Sequence, residues 1–143
     1  MADDFELALS SGIAAFEAKQ FTKAMQLLSP LAEQGVPDAQ YRVAIMQQNG
    51  LGVVRNELQA VRWMRAAAER GHALAQHGLG FMYLEGDCAE QNSSLAASWF
   101  RKAADQGLAG SLTTLAQMYE TGNGVEKDLQ EARRLYAEAG FDL

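Results

Sequence analysis

A single cysteine, Cys88, excludes an intrachain disulfide and with it a disulfide-stapled fold. Proline is nearly absent, at two in 143 residues. β-Branched residues are sparse as well, and both shortages favour helix over strand. No apolar run approaches the roughly 20 residues that span a bilayer. The opening stretch, Met1 to Leu9, is acidic and lacks the basic region of a signal peptide. Positive charge is also short: 12 Lys and Arg against 18 Asp and Glu leave a formal net charge of −6. Phosphate backbones repel such a surface, so nucleic acid is not an expected partner. A soluble, cytoplasmic chain without a membrane partner is expected.

Catalytic chemistry is equally thin. His72 and His77 are the only histidines, and with Cys88 they do not make the three or four converging ligands of a zinc site. No nucleophile has an evident base beside it. We therefore expect no enzyme, no metal and no cofactor. Glycine-rich stretches such as Gly50-Leu51-Gly52 lack the Lys-Ser/Thr ending of a phosphate loop, and no strand precedes them.

What the sequence has instead is alanine and a period. Shifting the chain by 36 residues aligns Gly50, Gly86 and Gly122, then Asn56, Asn92 and Asp128. Ala60, Ala96 and Ala132 align, as do Trp63, Trp99 and Leu135, then Ala67, Ala103 and Ala139, and Gly71 with Gly107. Asn56 and Asp128 read as helix N-caps, with Gln59 and Glu131 placed for capping boxes. Asn92 holds the same position, with Ser93 and Ser94 as competitors. The stripe Ala60, Trp63, Met64, Ala67 gives one buried helix face. Gly71 and Gly107 read as left-handed helix stops. Val43-Ala44, Leu79-Gly80 and Leu115-Ala116 lie on the buried side of a preceding helix, followed by a methionine column, Met46, Met82 and Met118. The unit is helix A, a glycine-rich loop and helix B. The pairs fall at 37–48 with 57–70, 73–84 with 93–106, and 109–120 with 128–139. Residues 4–18 and 22–34 form a degenerate first pair with a short turn at Ala18-Lys19-Gln20. Stacked pairs share a core that one pair alone cannot bury.

These residues resemble the Sel1-like repeats, relatives of the tetratricopeptide repeats. Ala75, Leu79, Gly80, Tyr83, Gly86, Ala96, Trp99, Lys102, Ala103, Ala104 and Gly107 match the family pattern, and the units at 37–72 and 109–143 match it nearly as fully. Gln47 stands where the pattern has Tyr. Cys88-Ala89 replaces its Gly-Val, so a rearranged loop is expected after Gly86. The implied fold is all-α, a right-handed α-α superhelix (solenoid) of about four helix-turn-helix repeats. We expect one domain over 1–143, with 1–36 as a degenerate tetratricopeptide-like repeat and 37–72, 73–108 and 109–143 as Sel1-like repeats. The implied function is a scaffold or adaptor that binds a protein or peptide partner.

In tetratricopeptide-like stacks the A helices line the concave surface. The large side chains there that the repeat does not explain are Phe5, Leu9, Tyr41, Ile45, His77, Phe81 and Leu84, grading to the polar Thr113 and Gln117. Arg42 is placed to pair with an acidic residue of the partner. The alternative is that these side chains only pack neighbouring A helices together. Residues 37–72 carry five Arg against three acids, a local excess of two positive charges; this reads as a solvated face, or as a patch for an acidic partner. Beyond helix B of the last unit, Phe141-Asp142-Leu143 either fold back over the open core or meet a second molecule. That leaves self-assembly through the solenoid ends, including a homodimer through the C-terminal end, as the alternative function.

Overall fold

A computed structural model describes residues 2–141 of the chain, and its eight helices follow the period: α1 (Ala2–Glu17), α2 (Phe21–Glu33), α3 (Pro37–Asn49), α4 (Glu57–Glu69), α5 (Ala73–Glu85), α6 (Ser93–Asp105), α7 (Ala109–Thr121) and α8 (Leu129–Glu138). No strand occurs among the described residues. The helices divide into two compact units, residues 1–72 and 73–143. In the first unit α1 packs on α2, α2 on α3 and α3 on α4; in the second, α5–α6, α6–α7 and α7–α8 repeat the scheme.

The cores are built from the aligned columns. Val43, Ala44 and Met46 of α3 are at most 1% exposed, and so are Ala60 and Ala67 of α4. Leu79, Met82, Leu115, Ala116 and Met118 fill the same places in the second unit. The aromatic column differs from expectation. Trp63 and Trp99 are half-buried, and Lys102 lies 4.5 Å over the Trp99 ring. The ring that is fully buried is the neighbouring Phe100. Gly80 makes room for it, since a Cβ there would stand 2.8 Å from the ring. Gly12 and Leu28 make the same glycine-under-apolar contact in the first unit.

Helix starts are capped as the sequence indicates, but by half of the expected motif. Asn56 and Asn92 each accept from the backbone N–H three residues on at 3.0 Å, and Asp128 accepts from Gln130 and Glu131 at 3.1 Å. Ser93 is the first helical residue rather than the cap. The cap residues' own N–H groups are not returned to Gln59 or Glu131. They donate to the carbonyls of Gln47, Tyr83 and Tyr119 at the end of the preceding helix A, at 2.8–2.9 Å. A backbone carbonyl does this work, so Gln47 serves as well as Tyr. Glu131 is drawn instead to Arg134 and Arg101.

The loop after Gly86 is not rearranged. Gly52, Cys88 and Gly124 share one left-handed conformation, with φ of 69°, 66° and 75°. The flanking bonds from residues 51, 87 and 123 to Met46, Met82 and Met118 are also the same. Cys88 thus adopts a glycine's backbone at a strain of roughly 1–2 kcal/mol for a residue with a Cβ. Replacing it by glycine should raise the unfolding free energy by about 1 kcal/mol, after the glycine's extra chain entropy is set against the relieved strain. A denaturant midpoint that falls in Cys88→Gly would contradict this reading. The first pair has the short turn expected of it: α1 ends at Glu17, Lys19 is left-handed at φ 61°, and α2 starts at Phe21.

Candidate protein-interaction surface

Helix A positions in the first unit build a compact polar–aromatic cluster. The Tyr41 ring lies 4.9 Å from that of His72, tilted by 31°. His72 Nε2 is 2.9 Å from Asp38 Oδ1. Arg42 Nη1 donates to the Asp38 carbonyl at 3.1 Å and reaches its carboxylate at 3.4 Å. The Arg42 guanidinium also stands 5.8 Å from the Phe16 ring centre and 5.9 Å from that of Tyr41. Partial burial pushes the Asp38 carboxyl up, but the hydrogen bond and charge of His72 and the charge of Arg42 outweigh it. Asp38 is held below the ordinary carboxylate range. Burial raises the Tyr41 hydroxyl, against the opposing effect of Arg42. Ile45 is half-buried on the same helix. Leu9 packs against the first unit's core, whereas Phe5 is 36% exposed.

Helix A positions in the second unit border a concavity of about 450 Å³. His77, Phe81, Thr113 and Gln117 line it together with Gly110 and Phe141. Its aromatic wall is closely packed. His77, Phe81 and Phe100 meet edge to face, with ring centres 4.9–5.4 Å apart. His77 Nδ1 lies 2.6 Å from the hydroxyl of the buried Ser111, and burial lowers the imidazole's affinity for a proton. Thr113 and Thr114 spend their hydroxyls on the carbonyls of Ala109 and Gly110, at 3.0 and 2.8 Å. Neither hydroxyl is therefore free for a ligand. Gln117 is exposed, and its side-chain amide has no hydrogen-bond partner among the described residues. Leu84 is half-buried but outside the lining.

The sequence does not single out Gly110, and it marks Phe141 only as a residue that folds back or meets a second molecule, not as part of this lining. A Cβ at Gly110 would stand 3.3 Å from His77 Cε1, so its small size keeps the concavity open. Phe141 packs edge-on against Tyr136 at 6.0 Å and is half exposed. It folds toward α7 and α8, while Asp142 and Leu143 lie outside the described residues. Of the Arg-rich stretch, Arg55 is tied to Glu57 at 2.5 Å and to the Gln48 carbonyl at 2.8 Å. No helix among the described residues is long and apolar enough to cross a membrane.

The Sel1 repeat family matches four segments, residues 5–36, 37–72, 73–108 and 111–140. No curated protein matches the sequence. Among solved structures, a Sel1 repeat protein from Oxalobacter formigenes is similar over 92% of this chain and 53% of its own, at 34% identity and a TM-score of 0.88. A protective antigen of uropathogenic Escherichia coli with the SLR fold is similar over 94% of this chain and 30% of its own, also at 34% and 0.88. The chain thus spans about half or less of the length of these two proteins. Helicobacter pylori cysteine rich protein B shares the fold at 18% identity and a TM-score of 0.66, over 84% of this chain and 86% of its own. The all-α solenoid class is the one these structures share.

Proposed function

Starting from the premise that the chain belongs to the Sel1 repeat family, we propose that it is a non-enzymatic scaffold in a reducing cytoplasm, binding a segment of a protein partner through its helix A faces. Sel1 repeat proteins are generally protein-interaction scaffolds. The observation that carries the proposal is the concavity beside α7. It has a closely packed aromatic wall, a mainly apolar lining and the unpaired amide of Gln117, which is how a site holds an apolar side chain while fixing an adjacent peptide group. In the first unit Tyr41 and Ile45 offer a second apolar contact. Arg42 is already engaged by Asp38, so an acidic residue of the partner must compete with that pair.

The test is capture of the partner from native lysate, followed by measured affinity for wild type and for Tyr41→Ala with Phe81→Ala. Aromatic anchors of this kind are worth on the order of 2 kcal/mol at a hot spot. The double variant should bind at least about tenfold more weakly, the factor that 1.4 kcal/mol represents, while keeping its helical circular dichroism. A variant that stays folded and binds as before would end the proposal. One that melts far below wild type would show that the two rings serve packing instead.

A further inference from the structure

Three departures from the period meet at one spot in the second unit. His77 stands in a column with Tyr41 and Thr113, Gly110 in one with Asp38 and Leu74, and Ser111 in one with Ala39 and Ala75. Stacking the helices does not call for a serine at 111, because Ala39 and Ala75 fill that place at 0% exposure. Ser111 is equally buried, and a hydroxyl taken there costs stability unless it is bonded. Its bond is the one to His77 Nδ1, at 2.6 Å. Gly110 carries a cost too. Its φ lies outside the left-handed region, so a glycine inside α7 only weakens the helix relative to alanine. What it supplies is space. A Cβ there would stand 3.3 Å from His77 Cε1 and 3.6 Å from Nε2. With Ser111 holding Nδ1 and no side chain before the opposite edge, the imidazole turns Nε2 toward the concavity. Nε2 has no hydrogen-bond partner among the described residues.

Charge complementarity narrows the occupant. The chain is 21% charged, yet the described residues of the lining include no Asp, Glu, Lys or Arg. A charged side chain held there would find no counter-charge. Burial lowers the proton affinity of His77 and no charged neighbour opposes it, so the ring is neutral at pH 7. The wall suits an aromatic guest: His77 and Phe81 already meet edge to face, and a further ring extends that arrangement. Nε2 of a neutral imidazole accepts or donates, depending on which way the Ser111 hydroxyl turns. A phenol hydroxyl matches either state, because it too donates and accepts.

We propose, resting on the groove reading above, that the concavity takes a tyrosine side chain of the partner segment, its ring against Phe81 and its hydroxyl bonded to His77 Nε2. Gln117 takes the adjoining peptide group. Ser111 is a positioning residue, which holds the imidazole so that Nε2 meets the ligand. Phosphorylation of that tyrosine brings roughly two negative charges to a neutral lining and expels the segment.

The test titrates three blocked tripeptides into the isotope-labelled intact chain: acetyl-glycyl-tyrosyl-glycinamide and its phenylalanine and phosphotyrosine counterparts. The backbone resonances of Phe81 and Gly110 and the side-chain amide of Gln117 should shift. The tyrosine peptide should bind about fivefold more tightly than the phenylalanine one, the usual net effect of one neutral hydrogen bond. The phosphotyrosine peptide should bind at least about tenfold more weakly than the tyrosine one, since its charge stays unpaired. His77→Phe with Ser111→Ala removes both polar groups together and restores the alanine of positions 39 and 75; circular dichroism checks that the helices persist. In this variant the tyrosine and phenylalanine peptides should bind equally, with the phenylalanine affinity kept. Ser111→Ala alone should narrow the tyrosine preference, a ratio that a merely structural role does not move. The proposal is overturned by a wild type that binds phenylalanine as tightly as tyrosine, or phosphotyrosine as tightly as either. It is equally overturned if no peptide shifts Phe81, Gly110 and Gln117, or if the tyrosine preference survives the double variant. The groove reading fails separately: it falls if Tyr41→Ala with Phe81→Ala stays folded and binds the captured partner as before, whatever the tripeptides do.

Discussion

Phe100→Ala should lower the unfolding free energy of the second unit by about 3–5 kcal/mol, the usual cost of emptying a buried aromatic site. Phe100 is fully buried, sits directly over Gly80 and presents its edges to His77 and Phe81. Its removal opens a void that the stiff neighbouring helices cannot close. Trp99→Ala should cost less, because the indole is half-buried and already shares its face with Lys102. A double-mutant cycle makes the packing argument sharper. Gly80→Ala alone should cost about 1–3 kcal/mol through overpacking against the Phe100 ring. Position 44, one period earlier, carries Ala, and position 64 opposite carries the flexible Met. Gly80→Ala with Phe100→Met copies that pair and should be less destabilising than the sum of its parts. Urea unfolding of the four proteins would decide the matter; additive costs would contradict the account.

The second large effect is expected at Gly124. Its φ is 75°, and a Cβ built there would stand 2.3 Å from the Ser93 carbonyl oxygen. Backbone strain of roughly 1–2 kcal/mol then combines with a collision that only a shift of α6 against the loop can relieve. Gly124→Ala should cost about 3 kcal/mol in all, taking the overpacking range into account. Gly107 is the control. It has a similarly positive φ of 86°, with nothing within 4 Å of a Cβ. Gly107→Ala should therefore show the strain alone, near 1 kcal/mol. Thermal melts showing equal losses at the two glycines would mean that the loop does not touch α6 in solution.

Much of this was legible because one repeat carries its own punctuation. Asn56, Asn92 and Asp128 mark helix starts, and small residues at 44, 80 and 116 mark the close helix–helix contact. Helix bounds such as Glu57–Glu69 and Ala109–Thr121 fall within a residue of the expected ones. The identity of the buried ring was not legible. Trp99 and Phe100 are adjacent, and the periodic column favours the Trp. Only the missing side chain at Gly80 reveals which of the two rings is covered. The loop at Cys88 was misread because a substitution at a glycine column suggests a new backbone. The bonds to Met82 and Tyr83 hold the old one in place. The clusters around Tyr41 and His77 depend on residues about one repeat apart. Asp38 meets His72, and His77 meets Ser111, each pair 34 positions apart. A search for polar partners just short of the period would have found both.

The proposed binding face is tested most directly by titrating the isotope-labelled chain with its captured partner and following side-chain resonances by nuclear magnetic resonance. The account predicts that the largest shifts fall on the helix A residues Tyr41, Ile45, Phe81, Thr113 and Gln117, with Val54 in the loop before α4 and Leu58 at the start of α4 unmoved although they are 90% and 68% exposed. Shifts concentrated on the loop residue Val54, on Leu58 and on the other exposed helix B positions, with Phe81 and Gln117 unchanged, would contradict it.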